Sequence, residues 1–146
     1  MSTLTPAAGG GIVIPMLVCR DAAAEIGFCQ AAFGAVELSR RAAPDGTVVH
    51  ALLTIVGAMV MVHGEFPSLS SRAPQSDGSS PVVVYLYVKD ADAAMAQAVT
   101  AGAQVLLPAQ NQFWGDRVGR VMDPAGHVWN IAARLPKSAG AAGESR

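Results

Sequence analysis

The chain has 146 residues, 51% of them hydrophobic, which is the size and apolar content of one ordinary domain able to bury a core without staples. Its formal charge of −1 and the absence of any lysine or arginine run argue against nucleic acid or an anionic membrane as a partner. Two cysteines, Cys19 and Cys29, are too few for a disulfide framework and read as buried free thiols.

Met1 to Gly11 has neither the basic start nor the apolar core of a signal peptide and reads as a flexible N-terminus. No uncharged apolar run approaches about 18 residues, so the sequence predicts a cytoplasmic protein. Ile12 to Val18 is strand-like, and Asp21 is placed to cap a helix from Ala22 to Phe33. Ile26, Cys29 and Phe33 give that helix an apolar stripe, and Gly34 is its stop signal. Strands follow at Val36 to Arg41, Val48 to Ile55 and Ala58 to Val62, with turns at Pro44-Asp45-Gly46 and Val56-Gly57. The order is β-α-β-β-β over residues 12–64.

Residues 65–80 are rich in serine and proline and read as a linker or lid. The same plan then repeats over residues 81–135. Val82 to Val88 is the first strand, Asp90 or Asp92 caps a helix with Met95, Ala98 and Val99 on one face, and Gly102 ends it. Strands are expected at Gln104 to Leu107, Val118 to Met122 and His127 to Ala132, and residues 136–146 read as a disordered tail.

The hairpin carries a register argument. A two-residue turn at Val56-Gly57 pairs Leu52 with Met61 and sets His50 directly opposite His63. Cross-strand imidazoles at that spacing can share a metal if Glu65 approaches, form a hydrogen-bonded polar rim, or offer one ring as an acid or base. Asp116 and Arg117 either clamp a polar ligand group or form a salt bridge that orders their loop. Trp129 and His127 read as structural residues. No phosphate-cradling glycine loop, Ser-His-Asp set or Cys-x-x-Cys pair is present.

Four strings, Ala31-Ala32-Phe33-Gly34-Ala35, Pro44-Asp45-Gly46 ahead of His50, Phe113-Trp114-Gly115-Asp116-Arg117 and Asp123-Pro124-Ala125-Gly126-His127-Val128-Trp129, carry a family resemblance over residues 12–133. In that order and spacing the chain resembles the glyoxalase / bleomycin-resistance / extradiol-dioxygenase (vicinal oxygen chelate) superfamily, in particular its PhnB-like branch. The resemblance implies an α+β fold of two tandem βαβββ modules, with curved mixed sheets around a ligand cavity and helices outside. It also places the family's metal ligands on Ile14, Met61, Val83 and Asn130. Two of these side chains have no donor atom, methionine is a soft and weak one, and a lone amide is a poor site, so no metal and no other cofactor is expected.

Strand alternation from those positions turns Ile14, Met16 and Val18 inward, together with Val83, Tyr85 and Tyr87 and with His50, Leu52, Thr54, Met59, Met61 and His63. The expected ligand-binding set is Met16, His50, Leu52, Met59, Met61, His63, Tyr85, Tyr87, Trp114, Arg120 and Asn130. His50 and His63 are the catalytic candidates. Such a lining suits an apolar or aromatic small molecule, with Tyr85 and Trp114 stacking on it, although Met59, Met61 and Val83 also suit simple core packing. Sequestration of such a molecule, for example an antibiotic, by a homodimer is the favoured function. A glyoxalase-like enzyme with a displaced metal or histidine chemistry, and a scaffold with a vestigial cavity, are the alternatives.

Overall fold

The computed structural model describes residues 12–137, so the expectations for residues 1–11 and 138–146 lie outside the described residues. The first module runs β1 (Met16–Cys19), α1 (Ala22–Phe33), β2 (Val36–Ala42), β3 (Val48–Ile55) and β4 (Ala58–Gly64). The second runs β5 (Val83–Tyr87), α2 (Ala91–Thr100), β6 (Gln104–Asn111), β7 (Asp116–Met122) and β8 (Val128–Arg134). Each forms a four-stranded mixed sheet, in the orders β1-β4-β3-β2 and β5-β8-β7-β6, with the first strand parallel to the last. This is the tandem βαβββ architecture.

Helix α1 begins where Asp21 accepts a hydrogen bond from the Ala24 N–H and ends at Gly34, whose left-handed φ of 66° lets the chain reverse. Asp90, rather than Asp92, caps α2 through the Ala93 N–H. Burial on α2 recurs at Ala91, Met95 and Ala98, while Val99 lies at the edge of that stripe and is exposed, against expectation. Gly119 on β7 makes room for α2, since a Cβ there would sit 2.5 Å from the end of Met95.

Several strand boundaries also differ from expectation, β4 and β8 each running two residues further, to Gly64 and Arg134. Ile12–Pro15 stay outside the ladder: Pro15 has no N–H to give, and its carbonyl meets Met61 N–H just before β1 begins. Strand β6 runs on to Asn111 past Pro108, which an edge strand tolerates, with register shifts on both sides of Leu107. Strand β7 begins two residues early, at Asp116.

The core lies where the helices cover the sheets. Ala51, Leu53 and Ile55 alternate into it from β3, Val60 and Val62 from β4, and Val121, Trp129 and Ile131 from the second sheet. The two modules meet through this covered side. Helix α1 packs on α2, Phe33 lies 4.8 Å from the Trp129 ring, and His127 Nε2 is 2.8 Å from the Val18 carbonyl. His127 and Trp129 are therefore structural, as expected. Residues 65–80 form a short 3-10 turn at Pro67–Leu69, after which Pro74 and Ser76 press on the Gly126 turn.

Candidate functional site

The faces opposite the helices are open. On β3 and β4 the two-residue turn, with Val56 at φ 50° and Gly57 at φ 83°, sets the predicted register: His50 faces His63, Leu52 faces Met61 and Thr54 faces Met59. All six side chains are partly exposed, and β1 adds Met16 beside Met61 and Val18 beside His63. On the second sheet Tyr85, Asn130 and Arg120 form one row across β5, β8 and β7. Tyr87 and Trp114 complete that face.

The expected single set thus divides into two half-sites on separate sheets. Met59 and Tyr85 share a cleft of about 420 Å³, walled by residues 12–15, the tip of the β3-β4 hairpin and β5. His50 and His63 line another depression of about 280 Å³ with Arg41, Phe66 and Leu69.

The histidine rings lie 6.0 Å apart and nearly perpendicular, and the His63 ring packs on Phe66 at 4.8 Å. His63 Nδ1 is buried without a partner. Glu65 does not approach as a third ligand, because its carboxylate accepts the Ala73 N–H in the linker. Among the described residues no group of three or more His, Cys, Asp and Glu side chains could hold a metal.

The donor set at the positions assigned by resemblance does not fit the family's ion either. Ile14 and Val83 offer nothing, and the Asn130 oxygen is taken by Arg120 Nε–H at 2.7 Å. A cation there would have to share its single hard donor with a guanidinium.

What sequence reasoning missed is the role of Asp116. Asp116 does not pair with Arg117, which instead forks onto Asp92 and reaches Asn111. Neighbours on a strand point to opposite faces, so Asp116 turns to the open one, where it is 2% exposed and accepts both the Tyr85 and Tyr87 hydroxyls at 2.7 Å. Trp114 Nε1–H donates to the Tyr85 hydroxyl at 3.2 Å, and Arg134 lies 4.6 Å over the Tyr87 ring. Burial alone would raise the Asp116 pKa, but the Tyr87 and Tyr85 bonds, with Trp114 and Arg134 behind them, hold it below the usual carboxylate range. Burial, opposed by Trp114 and reinforced by Asp116, pushes the Tyr85 hydroxyl up to about 12, so it stays a proton donor at neutral pH. The result is a pair of tyrosine rings, 5.3 Å apart, fixed by one carboxylate. The signal available was strand alternation, which sends the side chains of Asp116 and Arg117 to opposite faces.

No helix among the described residues is long and apolar enough to cross a membrane. Comparison with known proteins places this geometry. An uncharacterized protein of Mycobacterium bovis is 45% identical over 120 residues, 80% of this chain and 79% of the relative. TioX from Micromonospora sp. ML1 has a similar structure, with a TM-score of 0.66 and 26% identity over 88% of this chain and 99% of that one. The fosfomycin resistance protein FosX from Listeria monocytogenes, solved with Mn(II) and sulfate, shares the fold at a TM-score of 0.64 and 13% identity, over 84% of this chain and 91% of its own. The model of the Glyoxalase/Bleomycin resistance protein/Dioxygenase superfamily matches residues 11–131, and the chain belongs to that superfamily.

Proposed function

We propose that the protein binds an apolar or aromatic small molecule without a metal, in the manner of a bleomycin-resistance protein, and sequesters it in the cytoplasm. The observation that carries this reading is the Arg120–Asn130 bond: where the family's ion would need a hard donor, an arginine holds the only one. The lining supports the ligand class. Met59 and Tyr85 line the cleft of about 420 Å³, a normal size for a small ligand, and Met16, Leu52, Met61 and Tyr87 on the open faces add adaptable apolar and aromatic surface. An antibiotic is one such ligand.

Both half-sites are open within one chain, and Met16, Tyr85 and Tyr87 are each 40–45% exposed. A second copy supplies the missing walls, so the binding unit is a homodimer. The test is calorimetry and product analysis against a panel of aromatic natural products. Saturable binding at one site per chain with the ligand recovered intact supports sequestration; multiple turnover would replace it by catalysis.

His63 supports a second reading. Its ring lines the depression beside His50, and its Nδ1 is held by no protein partner, which suits a histidine acting as acid or base. Turnover that disappears in His63→Gln while binding persists would establish it.

A further inference from the structure

The second sheet is unusual in how it spends its arginines. Arg117 is bound in full by Asp92 and Asn111 on the outside, and Arg134 lies on the Tyr87 ring next to Asp116. Arg120 differs. It stands in the middle of β7 on the open face, its Nε–H fixed by Asn130 Oδ1 at 2.7 Å, while no carboxylate pairs with it among the described residues. Its two terminal nitrogens have no protein acceptor there and are not closed off from ligand. A guanidinium oriented by one bond and free at its fork is a receptor for a planar oxyanion.

We propose that this face selects aromatic carboxylates, the Arg120 fork taking the carboxylate while the tyrosine pair held by Asp116 takes the ring. The spacing suits that class. Tyr85 and Arg120 flank Asn130 in one cross-strand row, so their backbones are two strand spacings apart, about 10 Å. A bicyclic aromatic acid spans that distance. The charge also suits it, since two guanidiniums, Arg120 and Arg134, face one carboxylate, Asp116, which both tyrosines already satisfy. The inference rests on the binding function proposed above and names its ligand class.

Calorimetric titration of the full chain with 2-naphthoate and with the isosteric 2-naphthamide tests it. The acid binds at least about tenfold more tightly than the amide, and in Arg120→Gln the preference falls to within about twofold. Arg120→Lys repeats the measurement with the charge kept and the fork removed, and it too loses most of the preference. Equal affinities in the native protein, or a preference that survives in both variants, overturn the carboxylate assignment and leave aromatic binding standing. If neither probe binds, the carboxylate assignment falls, and the broader binding function stands or falls with the natural-product panel.

Discussion

Glu25 shows how far a single side chain can depart from its ordinary chemistry. It is 1% exposed on α1, neither carboxyl oxygen meets a donor, and its polar neighbour is Asp123. Asp123 is already fixed as the acceptor of Ala125 N–H, His127 N–H and the Trp129 indole N–H. Glu25 therefore keeps its proton: burial first, and then Asp123 beside it, push its pKa up to about 11. The folded state keeps a proton that the unfolded chain releases above 4.5, so the stabilisation is complete below that pH and declines as pH rises toward 11. Thermal melts across pH 5–9 should show stability falling with pH, by at most about 1.4 kcal/mol per unit from this group. Glu25→Gln, which keeps a donor toward Asp123 without a titrating proton, should flatten that slope. At Asp116 the expected effect is on recognition. Asp116→Ala frees both tyrosine hydroxyls and should weaken aromatic ligands about tenfold by calorimetry, through loss of ring orientation.

At the level of elements, the strands stand at the limits their turns allow. Val56 occupies the first position of the β3-β4 turn at φ 50°, where a β-branched side chain is strained, and it is exposed. Val56→Asn should raise stability by about 1 kcal/mol, read as a higher melting temperature with the hairpin register unchanged. Gly126 is the reverse case. Its φ is 96°, and a Cβ would stand 2.5 Å from the Ser76 hydroxyl, so Gly126→Ala should cost about 1–3 kcal/mol and loosen residues 74–76 in hydrogen exchange.

The turn at Val56-Gly57 also shows what the sequence could reveal. Its length fixed the pairing of β3 with β4 and placed His50, Leu52, Met59, Met61 and His63 on the open face. Helix α1 was legible to the residue because Asp21 and Gly34 bracket it chemically. Non-local chemistry was not legible. Nothing near Asp116 in sequence announces two tyrosines on another strand, and nothing near Arg117 announces Asp92 on α2, so the adjacent charges looked like partners. The division of the site into halves was hidden for the same reason, since module packing depends on contacts such as Phe33 with Trp129.

For the whole molecule, the joint between modules runs mainly along the helical side. Phe33, Trp129, His127 and Val18 tie the halves together there, and the opposite faces stay uncovered. Sedimentation or light scattering at micromolar concentration should therefore give twice the mass of 14.9 kDa. A monomer that nonetheless binds aromatic ligands tightly would remove the second copy from the site. Ligand should stabilise the folded protein with the logarithm of its concentration over the dissociation constant, about 1.4 kcal/mol per tenfold excess, which a melting series can follow.

Each central strand keeps its two duties on alternate residues. On β3, Ala51, Leu53 and Ile55 hold the protein together, while His50, Leu52 and Thr54 between them meet whatever arrives from outside. Stability and recognition are consequently inherited on separate letters of the same short word. A lineage can rewrite every second residue, turning one ligand preference into another, and the chain still folds by the letters left untouched.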